Sequence, residues 1–327
     1  MKKLFTVGLA VAFGATFALT QNAAEAIELK YAHQSSVTNI NHLNIVDFGE
    51  KLKELSGGEM TVRIFPNKQL GGERDEIEGI LLGTLDSARP ASAVVANWVP
   101  EFNVANMPFV FRDIDHFQRV WRGGGELHNI IQAKAEAKGL RFLCATTTGI
   151  RNIMSKRPIF GIDDMKGLKI RAIENPVHVA TFNAMGANAT AIAYPEVYGA
   201  LQTGVVDGAD AANNNYHSQK FYEQAPYWTL IGWLVFTNTM IMSEKTWDSL
   251  SAKNQKATQD AAFYACEKQN EFYKTDGDKK LQMLLALGVK VTVPNRNPFI
   301  EASQKVYDQF LKTDEEKRLV KLIQETE

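Results

Sequence analysis

Arg151 and Arg171 stand inside strand-like runs, in a stretch from Gly149 to Val177 that reads GIRNIMSKRPIFGIDDMKGLKIRAIENPV. A guanidinium is always charged and offers five donors in a planar fork, a match for both oxygens of a carboxylate. It is rarely left buried without a partner. Arg171 closes the run GLKIRAI, where Leu168, Ile170 and Ala172 alternate with Lys169, Arg171 and Ile173, a period of two that suits a strand end. Gly167 before it and Asn175-Pro176 after it bound the strand. An arginine at the carboxyl end of a strand, beside a turn, is well placed to anchor an anion. Taken alone, a surface arginine or an interdomain salt bridge is the commoner explanation.

Little else in the chain is arranged for chemistry. There is no G-x-S-x-G elbow, H-E-x-x-H helix or comparable set, which argues against a secreted hydrolase and predicts no enzyme activity. The six histidines, His33, His42, His116, His128, His178 and His217, are scattered. No Cys/His spacing suits a metal, so neither metal nor cofactor is expected. Gly123-Gly124-Gly125 follows a helical run rather than a strand and reads as a turn, not a phosphate cradle. Cys144 lies in the apolar run RFLCA and Cys266 in the helical run DAAFYACEKQ. A disulfide is open to them in an oxidising compartment, but two separate buried thiols acting as small hydrophobes are the preferred expectation.

Met1-Lys2-Lys3, an apolar run from Leu4 to Leu19 and small residues ending at Ala26 have the order of a secretory leader, with cleavage expected after Ala26. The apolar run is short for a membrane span and no basic stop follows it, so the chain from Ile27 onward is expected to be exported and soluble. Across 327 residues, 36 Lys and Arg face 37 Asp and Glu, a net charge of −1. That balance offers no footprint for nucleic acid or an anionic membrane. The length exceeds what one core usually serves, so two lobes are expected.

The elements that must hold the two arginines follow from periodicity. Ile27 to His33 reads as a strand, followed by a helix with Leu43, Val46, Phe48 and Leu52 available for a core face and Gly57-Gly58 as its stop. Thr61 to Phe65 is a second strand. A helix in QLGGERDEIEGILLG and a third strand complete a β-α-β-α-β opening, whose helical crossovers imply parallel strands. The acidic run Glu73-Asp75-Glu76-Glu78 reads as a solvated helix face. From Leu140 the alternation repeats, with a helix from Pro195 to Gly204 and a strand from Val205 to Ala209. Tyr227 to Met242 is apolar and β-rich, too interrupted to span a membrane but long enough to cross between lobes. A long helix from a cap at Ser251 to Leu287, a strand in VKVTVP and a charged C-terminal helix follow.

Taken in order, LKYAH, FPNKQLGGERDEIEGILLGTLD, MPFVF, GIRNIMSKRPI, DDMKGLKIRAIENP, YPEVYGALQTGVVDGAD, KFYE and IMSEKTWDSLSAKNQ resemble the substrate-binding proteins of tripartite ATP-independent periplasmic (TRAP) transporters, the DctP-like family. The resemblance implies an α/β two-lobe periplasmic binding protein clamp with a long helix spanning both lobes. Residues 27–149 with about 237–276 would form lobe I, and 150–236 with about 277–327 lobe II. Arg171 is implied as the bidentate anchor of a ligand carboxylate, and Arg151 as a second cationic contact or a brace. Glu73 would reach the cleft to accept from ligand hydroxyls, Gln34 would be a polar contact after the first strand with His33 beside it, and Tyr194 an aromatic wall. Where the family carries an asparagine after DGAD this chain has Ala211, so Asn213 or Asn214 is expected to replace it. Trp233 offers a flat face to a ring or an apolar tail. The implied partners are a small organic acid and the small and large TRAP membrane subunits, for a monomer in the periplasm of a Gram-negative bacterium. A sugar acid such as a uronate or aldonate is favoured. An aromatic or branched oxo or hydroxy acid, a dicarboxylate, or a sensory receptor with the same clamp stays open.

Overall fold

The computed structural model describes residues 26–327, so the expected leader lies outside the described residues but for Ala26. The first half runs β1 (Ile27–Ala32), α1 (Ile40–Ser56), β2 (Met60–Phe65), α2 (Glu73–Leu82), β3 (Ser87–Ala88), α3 (Ser92–Val95), α4 (Ile114–Val120), α5 (Glu126–Glu136) and β4 (Leu140–Ser155). The second runs β5 (Lys169–Ala172), α6 (Pro176–Ala184), β6 (Asn188–Ala191), α7 (Val197–Thr203), β7 (Gly208–Ala212), α8 (Asn213–Ser218), β8 (Tyr227–Ser243), α9 (Glu244–Ser249), α10 (Ala252–Ala286), β9 (Lys290–Thr292), α11 (Asn297–Phe310) and α12 (Asp314–Glu325).

The strands join in the order β2-β1-β3-β8-β4-β7-β5-β6, with β9 beside β8. Strands β1, β2 and β3 are parallel, as the helical crossovers predicted, and so are β5, β6 and β7. Between these two groups lies an antiparallel ribbon of β4 and β8, 16 and 17 residues long. At roughly 3.3 Å per residue each strand is on the order of 50 Å, enough to serve both lobes of a two-lobe clamp. Midway the ribbon loses register, between Thr147 and Ile150 and again between Arg151 and Ile153. Gly149 (φ 103°) and Gly232 (φ 54°) sit at these breaks, in backbone conformations that side chains disfavour. β7 begins at Gly208, three residues later than the expected Val205, and Val205 is exposed. That shift puts Asp210 in the middle of a buried strand.

Helix α10 starts at the expected cap, the Ser251 hydroxyl accepting from Asn254 N at 3.2 Å. It lies over α1 and β4 along its first part and meets α8 further on. This crossing corrects the expectation for the cysteines. Cys144 on β4 and Cys266 on α10 form a disulfide with Cα atoms 6.5 Å apart. Each cysteine taken in its own element looks like a core residue, and only the long helix lying across β4 brings the two together. α12 packs against α5 and the Pro100–Asn106 turn of 3-10 helix, where His116 Nε2 donates to Ile323 O at 2.8 Å. No described helix is long and apolar enough to cross a membrane.

Candidate functional site

On one side of the ribbon, between the lobes, lies a cavity of about 50 Å³. The ribbon forms its floor through Thr148, Arg151, Phe236 and Asn238, and Arg171, Arg89, Glu73, Gln34, Tyr194 and Asn215 are among its walls. The lobes touch above it. Arg74 Nε meets Glu174 at 3.2 Å, Asn97 Nδ2 donates to Glu174 O at 3.1 Å and Asn175 Nδ2 to Ala93 O at 2.8 Å. The clamp is therefore closed.

Arg171 is 2% exposed. Its position in β5, paired with Thr190 of β6, aims the side chain at this cavity. Nε donates to Ile192 O at 2.8 Å, and among the described residues no carboxylate pairs with the outer fork. Burial lowers Arg171 to about 10, with Arg151 acting in the same direction and Asp210, Glu73 and Tyr194 opposing it. It remains a cation at neutral pH. Arg151 differs: its Nε forms an ion pair with Asp210 Oδ2, Nη2 donates to Asp210 O at 2.6 Å, and the guanidinium lies 4.4 Å from the Phe236 ring. Burial would raise the Asp210 carboxyl, but attraction and hydrogen bonding from Arg151 hold it below its ordinary value.

The remaining walls are hydrogen-bonded in defined directions. His33 Nδ1 accepts from Ser35 N at 3.1 Å, which leaves Nε2 to donate to His42 Nδ1 at 3.0 Å. Burial drives His33 down to about 3, so it stays neutral. Glu73 accepts from Ala91 N at 3.0 Å, and burial raises its carboxyl against the pull of that N–H and of Arg171. Gln34 Nε2 donates to Gly71 O at 3.0 Å and to Glu76 Oε1 at 2.6 Å. The Tyr194 hydroxyl accepts from Asn215 Nδ2 at 2.9 Å, and burial raises its pKa.

Three of the expected residues lie elsewhere. Asn213 and Asn214 face a second cavity of about 330 Å³ on the opposite, hinge side of the ribbon. There Asn213 Nδ2 donates to Gly277 O at 2.8 Å and Asn214 Nδ2 to Asp276 Oδ2 at 2.8 Å, tying α8 to α10. Asn215 is the asparagine that reaches the cleft, because each residue of a helix turns the side chain by about 100°. Trp233 is fully buried: its Nε1 donates to Asp210 Oδ2 at 3.1 Å, and its ring packs edgewise on His178 and Phe182 at 5.1 and 5.2 Å. It supports the ion pair rather than lining the cleft.

Arg89 escaped the sequence reading. It is 5% exposed, Nη2 donates to Thr146 Oγ1 at 2.7 Å, Nε has no partner and burial lowers its pKa. The signal was the one that marked Arg171, an arginine closing a strand, here in LDSAR before Pro90.

Comparison with known proteins gives this cleft between two α/β lobes its family. The model of bacterial extracellular solute-binding protein, family 7 (DctP), matches residues 31–314. The chain belongs to that family. Among relatives of this solute-binding protein, the 2,3-diketo-L-gulonate-binding periplasmic protein of Escherichia coli is 29% identical over 95% of both chains. The sialic acid-binding periplasmic protein of Vibrio cholerae is 29% identical over 89% of this chain and 92% of its own. A TRAP periplasmic solute-binding protein from Bradyrhizobium, solved in complex with D-galacturonate, superposes with a TM-score of 0.88 at 32% identity over 91% of this chain and all of that one. One from Pseudomonas putida F1, with bound D-glucuronate, gives 0.85 at 31% identity over 90% and 96%. The two-lobe clamp and the TRAP solute-binding class are thus those of this chain.

Proposed function

We propose that this protein captures a sugar acid of the uronate or aldonate class in the periplasm and delivers it to TRAP membrane subunits, with Arg171 forming a bidentate salt bridge to the ligand carboxylate. The observation that carries the reading is the outer fork of Arg171, buried in the interlobe cavity with no acid among the described residues to meet it. Burying a charge is tolerated when a partner completes it, and a carboxylate matches the fork. Arg151 is already paired with Asp210 and acts as the brace. The choice of sugar acid rests on the relatives that bind diketogulonate, galacturonate and glucuronate. The aromatic-acid alternative loses its main support once Trp233 is withdrawn from the cleft.

A cavity of about 50 Å³ has room for little more than a water molecule or two. Entry requires the lobes to part, with Gly149 and Gly232 as the pivot in the ribbon. Closure then removes water from the ion pair and strengthens it, and presents one compact shape to the membrane subunits.

Calorimetric titration with D-glucuronate, D-galacturonate, an aldonate, succinate and neutral sugars tests the reading. The parent chain binds one or more sugar acids and releases them unaltered, and Arg171→Ala weakens that binding at least a hundredfold, about 3 kcal/mol or more. A variant binding within threefold of the parent, or binding confined to neutral sugars, sinks it.

A further inference from the structure

The polar atoms left over in the cleft are of two kinds. The donors are the forks of Arg171 and Arg89, the Tyr194 hydroxyl, whose oxygen accepts from Asn215, and the Asn238 amide. The others are oxygens. Gln34 uses both amide hydrogens, on Gly71 O and on Glu76 Oε1. Reversing the amide would set its oxygen against a carbonyl and a carboxyl oxygen, so its orientation is forced. Gln34 Oε1 is consequently left buried without a partner. Asn215 donates to Tyr194, and its Oδ1 is likewise buried and unpartnered. Glu73 has one hydrogen bond among the described residues, from Ala91 N. Gln34 and Glu73 approach from the β1–α2 side and Asn215 from α8, so acceptors face the cavity from both lobes.

Behind Gln34 lies Glu76, 1% exposed on the inner face of α2 beside Ile77 and Ile80. It does not line the cavity, and no cation pairs with it among the described residues. Its Oε2 has no hydrogen-bond partner. Burial, reinforced by Glu73, holds the carboxyl well above its ordinary range, and its Oε1 accepts from the Gln34 amide.

We propose that Glu76 is a positioning residue: by fixing the Gln34 amide it aims a carbonyl oxygen into the cleft, so that the site selects acids carrying hydroxyl donors over dicarboxylates. This rests on the reading of the cleft as an organic-acid site and adds which acids it takes. A hydroxyl has a hydrogen to give to Gln34, Asn215 or Glu73. A second carboxylate has none, and it leaves these buried acceptors unpaired as well as repelled. A site built to hydrogen-bond a substrate hydroxyl rejects an analogue lacking it by several orders of magnitude.

The test is the ratio of dissociation constants for D-glucuronate and adipate, two acids of equal carbon count, measured by calorimetry on the parent, Glu76→Gln and Glu76→Ala. The parent prefers the uronate at least a hundredfold. Glu76→Gln, whose amide oxygen still accepts from Gln34, keeps the ratio within about threefold. Glu76→Ala shrinks it at least tenfold, by weakening the uronate while adipate moves less than threefold. If Glu76→Ala does not fold, Gln34→Leu carries the same expectation. Equal weakening of both acids by Glu76→Ala, an unchanged ratio, or tight unselective binding by the parent overturns the proposal while leaving the organic-acid site standing. A parent that binds no acid at all overturns both.

Discussion

The two faces of the β4–β8 ribbon carry cavities of opposite character. The hinge-side cavity is the larger of the two, about 330 Å³ against about 50 Å³, and a choice between them by volume would take it as the binding site. Its cations, however, already have partners. Lys274 lies 2.8 Å from Asp115 and 2.7 Å from Glu271, Arg112 donates to the carbonyls of Gln324 and Thr326 at 2.8 and 2.6 Å, and Arg296 donates to Gly232 O at 3.1 Å. On the cleft side Arg171 and Arg89 are buried, each with one side-chain hydrogen bond among the described residues and the rest of its fork unmet. Unmet hydrogen-bonding capacity in a buried place, rather than volume, marks where a ligand completes the structure.

Arg151 and Arg171 bring that contrast down to one pair of residues. Asp210→Ala leaves Arg151 as a buried cation without its acid, and should lower the unfolding free energy by roughly 3–5 kcal/mol. Arg171→Met removes a charge that has no acid to lose, and should leave stability within about 1 kcal/mol of the parent while binding fails. Urea unfolding of the unliganded chains measures both. If Asp210→Ala costs less than Arg171→Met, the division into brace and anchor is wrong.

The order of elements, the crossing strand from Tyr227 and the Ser251 cap were legible because each depends on local periodicity and punctuation. So was the strand that carries Arg171, bounded by its turn signals; the place of that arginine in the cleft was implied by the family resemblance and not by periodicity. Which asparagine faces the cleft was not legible, since it depends on the phase with which α8 leaves β7. Trp233 was misplaced because the excursion around Gly232 turns it inward, and no period-two pattern contains that break. Asp210 is invisible as the partner of Arg151 until two strands far apart in sequence are paired. Glu76 was taken with its acidic neighbours as solvated, whereas it is buried against Gln34.

The disulfide sharpens the contrast along α10. Near its middle the helix is bonded to β4 through Cys266; beside the hinge cavity it is held by the side chains of Asn213 and Asn214. The bridge joins residues 122 apart, and closing so long a loop restrains the unfolded chain, with a typical effect of about 2–4 kcal/mol. Cys144→Ala with Cys266→Ala should lower the unfolding free energy by that amount and leave the affinity for the acid within about threefold. Thiol titration of the denatured, unreduced protein should find no free sulfhydryl. Two reactive thiols would return the cysteines to separate core residues.

The last contrast separates the cleft side by pH. The unfolded chain releases the Glu76 proton near 4.5, while burial first, then Glu73 and Asp75, keep it bound in the folded chain against the hydrogen bond from Gln34. Tyr31 also stands close, and it feels burial before it feels a neighbour's charge. The folded state therefore binds more protons above pH 4.5, and the stabilising contribution of this group is complete below that value and is lost as pH rises toward the folded pKa. Glu76→Gln cannot lose a proton. Its stability relative to the parent should be flat below pH 4 and then grow by up to about 1.4 kcal/mol per pH unit. Urea unfolding of the two chains at pH 4, 6 and 8 measures the difference, and a gap that stays constant across the three would show that the fold does not raise the Glu76 carboxyl.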